Sequence, residues 1–343
     1  MLNKLVIKTT ARWGPSLIGV LFILSLVGLV ASMFVAISFG AKDLTLSTVW
    51  TAITSYNPEL TTHQIVHEMR LPRVIGAAVV GAAFAVAGAL MQGVTRNPLA
   101  DAGILGINAG ATFVVAISFA FLPSLSYTSL MIMSFLGAVL STILIFLLGS
   151  QAAGGLTPLR LTIAGAVVAA FLHSLSSGIA IYYDLSQDLA FWYAGGVSGV
   201  RWSHLTVLVP VILIAILCAF LLGRSVSLLS LGDDVADNLG VHTKQIRLLG
   251  MAIAVLLAGV SVSAVGSIGF VGLVIPHISR KLVGVNYRYI IPMSALLGAI
   301  LLVVADLGAR TINPPRELAI GVMVALVGVP FFLYLARKER RGL

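Results

Sequence analysis

Charge is what this chain of 343 residues has least of: Asp, Glu, Lys and Arg together make up 10% of it. A soluble domain carries roughly a quarter of its residues charged, so a water-covered globule is excluded. Cysteine is nearly absent. Cys218 stands alone in an apolar run, which excludes a disulfide framework and a thiolate metal centre. No Gly-x-x-x-x-Gly-Lys-Ser/Thr loop occurs, nor any Gly-Lys pair, so the chain does not hydrolyse ATP by that route. His, Asp and Glu form no cluster at one depth, and mid-membrane acids are scarce apart from Asp306. That argues against a membrane-embedded enzyme and against a proton- or sodium-driven carrier. No catalytic residue, metal site or cofactor is expected.

What the chain does have is apolar length. Hydrophobic residues make up 59% of it, and mean hydropathy is +1.07. Apolar runs fall at about 16–38, 71–91, 104–122, 126–149, 160–181, 203–223, 247–265, 267–280, 290–308 and 318–336, which makes about ten spans. A span needs about 20 residues, and in hydrocarbon only a helix satisfies its own backbone within one segment. An all-α polytopic membrane protein, one transmembrane domain over 1–343, is therefore expected. The run after Arg12 is too long for the roughly 7–15-residue core of a secretion signal, so it reads as an uncleaved first span. The eighth run is short and holds Gly266, Gly269 and Gly272, which predicts a broken or partly inserted helix.

The net charge of +9 is read as topology, not as nucleic-acid binding. With the N-terminus inside, fifteen of the twenty-one cations fall on cytoplasmic segments: Lys4, Lys8, Arg12, Arg96, Arg160, Arg224, Lys244, Arg247, Arg280, Lys281, Arg288, Arg337, Lys338, Arg340 and Arg341. The asymmetry follows the positive-inside rule and puts both termini in the cytoplasm. Six cations defy it: Lys42, Arg70, Arg73, Arg201, Arg310 and Arg316. Arg310 has Asp306 one turn away. Arg70 and Arg73, beside Leu71-Pro72, can either snorkel to headgroups or dock an acidic external protein.

Three further stretches carry mechanism or packing. The long inner loop, about 224–247, contains Leu231-Gly-Asp-Asp-Val-Ala-Asp-Asn-Leu-Gly-Val241. Asp233 and Asp234 favour a helix start, Val235 and Leu239 share one face, and Gly240 can end it. Such a short amphipathic helix suits docking to a cytoplasmic partner. In the inner hairpin, Asn97-Pro98 stops one helix and Asp101 can start another. Ala77, Gly81, Ala85 and Gly88 form a small-residue stripe suited to tight packing or to lining a pathway. A faint similarity joins Gly81–Gly110 to Gly250–Gly284; as a repeat, the two would run in opposite directions. His63 and His67, with Glu68, lack a third ligand and the order of a zinc-protease helix. His173 is expected in an interhelical hydrogen bond, and His277 follows Pro276 near the membrane.

Taken together, Arg70-Leu-Pro-Arg73, Gly88-Ala-Leu-Met-Gln92, Asn97-Pro-Leu-Ala-Asp101, Gly106 with Gly110, the Leu231–Val241 loop, Gly269-Phe-Val-Gly-Leu-Val-Ile-Pro-His277 with Arg280, and Ala305-Asp-Leu-Gly-Ala-Arg310 resemble the FecCD family of ABC importer permeases. Many relatives have proline where this chain has Ala102. The resemblance implies a ten-helix permease of the cobalamin/siderophore, type II, architecture in the bacterial cytoplasmic membrane, surrounded by lipid. It implies alternating access for an iron(III)-siderophore, with cobalamin, haem or a bare metal ion as alternatives. It also implies a second permease copy or paralogue, two cytoplasmic ATPase subunits and an extracytoplasmic substrate-binding protein. By motif match, Arg70, Arg73 and Arg310 would meet that protein's glutamates. The ATPase would be met by Gly232, Asp233, Asp234, Val235, Asp237, Leu239 and Gly240.

Overall fold

A computed structural model describes residues 14–40, 43–150, 158–314 and 316–339. Lys4, Lys8, Arg12, Lys42, Arg340 and Arg341, on which part of the charge census rests, lie outside the described residues. The helices are α1 (Pro15–Ser38), α2 (Leu46–Thr54), α3 (Leu71–Thr95), α4 (Ile107–Phe121), α5 (Tyr127–Ser150), α6 (Pro158–Tyr182), α7 (Ser186–Ala194), α8 (Trp202–Leu229), α9 (Asp233–Asn238), α10 (Thr243–Val265), α11 (Val271–Val283), α12 (Tyr287–Thr311) and α13 (Ile320–Glu339). No strand occurs among the described residues. Seven helical stretches are long and apolar enough to span a bilayer, with shorter apolar helices at Ile107–Phe121 and Ile320–Tyr334. With the 13-residue α11, each of the ten apolar runs corresponds to a helix. The expected break in the eighth run is present: Gly266–Phe270 is non-helical, with Gly266 and Phe270 at positive φ.

Helix α3 stands in the centre, its most apolar window 89% buried. Small residues cause this. A Cβ on Gly81 would sit 2.3 Å from the Gly298 oxygen of α12, and one on Gly88 would sit 2.1 Å from the Gly272 oxygen of α11. Ala77 and Ala85 on the same stripe are fully buried. The stripe is thus a packing seam, backbone against backbone, and not a pathway wall. Gly110 and Gly137 join α4 to α5 in the same way, each Cβ position falling 2.3–2.4 Å from the other's carbonyl oxygen.

Antiparallel neighbours follow from the short connections. Arg247, in the first turns of α10, donates from Nε to the Val94 carbonyl at the end of α3, 3.2 Å away. The stretches 81–110 and 250–284 therefore run in opposite directions. Two short helices, α2 and α7, and the extension Thr61–Arg70 were not expected from apolar runs. The extension is a helical turn, Thr61–Gln64, followed by a π-helical segment, Ile65–Arg70, that flows directly into α3.

The inner hairpin is ordered as expected, with one refinement. Helix α3 ends with Arg96 in the left-handed region, φ 53°. Asn97 Oδ1 accepts from the Leu99 N–H at 3.0 Å. Asp101 Oδ1 accepts from the Ala102 N–H at 2.7 Å, which starts only a 3-10 turn, Ala102–Leu105. Helix α4 begins after Gly106, at φ 71°. Proline at 102 would have no N–H for this bond, so alanine here permits a cap that a prolyl relative forgoes.

The seam sets a stability expectation. Gly88→Val should lower the melting temperature of the detergent-solubilised protein, since overpacking a dense contact costs about 1–3 kcal/mol or more. Gly178→Ala on α6, where nothing lies within 4 Å of the added Cβ, should not. Equal melting temperatures for Gly88→Val and the parent would refute backbone contact at this point.

Candidate functional site

The first candidate site lies at the end of the bundle where α3 begins. Arg73, in the first turn of α3, donates from Nε and Nη2 to Asp306 of α12, at 3.0 and 2.8 Å to Oδ1. Its Nη1 and Nη2 donate to Glu317 Oε1 and Oε2, both at 2.9 Å. Arg310 Nε lies 3.2 Å from Asp306 Oδ2, an ion pair without hydrogen-bond alignment. Asp306 is thus an anion held between two guanidiniums with its side chain 1% exposed. Removing one partner of such a buried pair costs about 3–5 kcal/mol.

Arg70 and Arg310 also cap α1. The last carbonyls of a helix have no partner within it and carry its negative dipole end. Here Arg70 Nη1 donates to the Ile37 and Ser38 oxygens. Arg310 Nη2 donates to the Ala36 oxygen at 2.8 Å, and Nη1 to that of Phe39 at 3.4 Å. The π-helical segment leads the chain into this position, leaving Arg70 7% and Arg310 6% exposed. The three arginines singled out in the sequence do come together. Arg70 and Arg73 turn into the bundle instead of snorkelling, and the expected Asp306–Arg310 pair is present. Glu317 and the α1 carbonyls were missed, because Glu317 sits in a loop with no periodicity to mark it. Arg73's hydrogen bonds, opposed by partial burial, hold the Glu317 carboxyl below the usual carboxylate range.

Beside this knot lies a cavity of about 560 Å³. Phe191 and Trp192 of α7, Tyr127, Gly266 and the segment from Glu317 to Ile320 line it, with Arg73 at its edge.

The second candidate site lies at the opposite end. Gly232, at φ 125°, precedes the six residues of α9, with Asp233 and Asp234 in the first turn. Gly240, at φ 78°, follows it, and the Val241 N–H closes back on the Ala236 oxygen at 3.0 Å. Asp233 grips both neighbours: Oδ2 lies 3.1 Å from Arg96 Nη2 and Oδ1 lies 3.0 Å from Arg247 Nη2. Asp237 Oδ1 accepts from the Thr243 N–H at 3.5 Å. Only Ala236 turns inward; Leu231, Val235 and Leu239, at i, i+4 and i+8, are 64%, 45% and 58% exposed. The expected apolar pair, Val235 and Leu239, is therefore uncovered within this chain, and Leu231, just before the helix, is exposed beside it in sequence. Asn97, Pro98 and Asp101 sit in the hairpin that follows Arg96, whose exposed ion pair with Asp233 links that hairpin to α9. Gln92 of α3 meanwhile donates to the Gly272 oxygen at 2.9 Å and accepts from Arg280, tying α11 to the same end.

The histidines are occupied structurally. His63 Nδ1 accepts from the Asn57 N–H at 3.1 Å, and the His67 ring meets that of Tyr56 at a tilt of 46° with centroids 4.5 Å apart. His173 Nδ1 lies 2.9 Å from the Tyr193 hydroxyl, bridging α6 and α7 as expected, and His277 meets Phe331 of α13 edge-on. Among the described residues no group of three or more His, Cys, Asp or Glu could hold a metal ion.

Asp306→Asn should lower the melting temperature more than Glu317→Gln, because it removes the enclosed anion shared by Arg73 and Arg310 while the Glu317 carboxylate is partly solvated. Similar losses from both changes would contradict Asp306 as the hub.

Comparison with known proteins agrees with the architecture. The chain is 53% identical over 310 residues, 90% of this chain and 81% of the relative, to the iron(3+)-hydroxamate import system permease protein FhuB of Bacillus subtilis (strain 168). It is 41% identical over 320 residues, 93% of this chain and 96% of the relative, to the iron-uptake system permease protein FeuB of the same organism. A solved structure of a metal-chelate type ABC transporter in an inward-facing conformation superposes with a TM-score of 0.82 at 28% identity, covering 92% of this chain and 98% of that one. Residues 28–338 match the FecCD transport family, and the chain belongs to that family of membrane-embedded transport components.

Proposed function

We propose that this chain is the permease subunit of an ATP-driven importer that moves an iron(III)-siderophore across the bacterial cytoplasmic membrane by alternating access. The 53% identity to a ferric hydroxamate permease over 90% of the chain carries the substrate class, and hydroxamate chelates are the first to test. Hydrolysis of ATP belongs to a separate pair of ATPase subunits, since the chain has no phosphate loop. A second permease, identical or paralogous, completes the pathway, and the whole chain acts as one transmembrane domain.

The charge census supports placing α9 in the cytoplasm and Arg73 outside, with both termini inside. On that reading the uncovered face of Leu231, Val235 and Leu239 enters a cleft on the ATPase. Its Asp233 clamp transmits the movement to the hairpin and to α3 through Arg96 and Arg247. At the other end, the edge of the arginine knot receives carboxylates of the extracytoplasmic binding protein. Arg73, whose side chain is 13% exposed, offers the guanidinium nearest the surface, while Arg70 and Arg310 hold the surface in shape from behind.

Proteoliposomes containing the full complex should take up a ferric hydroxamate only when binding protein and ATP are both supplied. Uptake by the permease pair alone would overturn the assignment. Leu239→Asp on α9 should reduce uptake by about tenfold or more while the complex still melts normally. Unimpaired uptake would remove α9 from the coupling path.

A further inference from the structure

The knot contains one contact whose geometry conflicts with docking as it stands. Arg73 has a single outward bidentate edge, Nη1 with Nη2, and Glu317 of the same chain already occupies it with both oxygens at 2.9 Å. The other edge, Nε with Nη2, is taken by the buried Asp306. An arginine fork binds one carboxylate per edge in parallel geometry, so a carboxylate arriving from outside finds no vacant edge. The two resident acids differ in how they are held. Asp306 is enclosed, paired with Arg310 and fixed in the last two turns of α12. Glu317 is 43% exposed and sits in the short non-helical segment before α13. A solvated ion pair is worth about 0–1 kcal/mol, so Glu317 is the partner that can be exchanged.

We propose that Glu317 is a built-in stand-in for the binding protein's carboxylate, and that docking proceeds by exchange: the incoming carboxylate takes the outer edge of Arg73 and releases Glu317. This rests on the reading above that the arginine end receives the binding protein.

The exchange has a structural consequence. The residues after Glu317 lead straight into α13, and Leu318 is held only one step away by its N–H to the Ala309 oxygen of α12, 2.9 Å. Glu317, Leu318, Ala319 and Ile320 form one wall of the 560 Å³ cavity, and Trp192 of α7 stands on another. Gly321, at the head of α13, approaches the Ala194 oxygen at the end of α7, with its Cβ position 3.0 Å away. Releasing Glu317 therefore removes one of the two ties described on the connector leading into α13, with the Leu318–Ala309 bond as the other. Recognition outside is thereby converted into a loosening of that connector by one swap of ion-pair partners.

The test is a double-mutant cycle on the complete transporter in nanodiscs, titrated with its own substrate-binding protein. Glu317→Gln should tighten binding roughly twofold to fivefold, the range for removing one partly solvated competing ion pair. Arg73→Gln should weaken it, and in that background Glu317→Gln should give no gain. Glu68→Gln, which removes an exposed acid of the π-helical segment without touching Arg73, controls for the general field. Hydrogen exchange at 318–321 should quicken on docking in the parent and be already fast in Glu317→Gln. Should Arg73→Gln fail to assemble, Arg73→Lys replaces it, keeping the charge but losing the fork. Unchanged affinity on altering Arg73 would sink the docking reading itself. Weaker binding from Arg73→Gln with no gain from Glu317→Gln would leave docking standing and overturn the exchange. A gain that persists in the Arg73→Gln background, or that Glu68→Gln reproduces, would overturn it too, as a mere field effect.

Discussion

Direct backbone contact along α3 is the constraint on which the remaining structure depends. At Gly81 and Gly88 the chain has no side chain because none would fit between α3 and the carbonyl oxygens of Gly298 and Gly272. In a bilayer there is little hydrophobic gain from moving a helix out of lipid and against another helix, so close van der Waals fit and polar bonds must hold the bundle. Small residues let axes approach, and the approach lets Gln92 reach the Gly272 carbonyl in the first turn of α11 at 2.9 Å. The break at Gly266–Phe270 is tolerated because Gly266 and Ile268 are buried in protein and Gly266 lines the cavity.

Charge is confined to the two ends, and there it is put to different uses. At the Arg73 end it is partly buried: a carboxylate serves two arginines, and two guanidiniums satisfy the terminal carbonyls of α1. Each feature answers a desolvation cost with a partner. At the α9 end the pairs are exposed and cheap to rearrange: Asp233 is 40% open and Arg96 39%. Such a clamp positions a helix without freezing it. On the proposed reading, the difference suits an outer surface that holds its shape and an inner element that follows a moving partner.

How much of this could be read from residues alone depends on how far apart in sequence the partners lie. The spans were legible because a bilayer imposes its thickness on each apolar run independently. Helix α9 was legible because its glycines, aspartates and spaced apolar residues all sit within eleven positions. The small helices α2 and α7 were not, since neither stands in an apolar run long enough to notice. The fate of Arg73 was also hidden: Asp306 and Glu317 lie 233 and 244 residues away. The sequence marked the arginines as anomalous on the outside, but only packing brings the acids to them.

Helix α3 joins these observations physically. Its first turn carries Arg73, and Arg96, which caps its other end, grips Asp233 of α9. Twenty-five helical residues at about 1.5 Å each make a rod of roughly 37 Å, and the glycine seam fixes that rod to α11 and α12. A rod so held cannot bend to pass a signal; it can only move as one body with its neighbours. The parts free to move against it are those with few such seams. Helix α1, with 11% of its apolar window buried, is the clearest by that measure, and α6 and α8 follow at 28% each. On the proposed alternating-access reading, the core need not deform: the seamed helices stay together while the less buried ones at the periphery move against them.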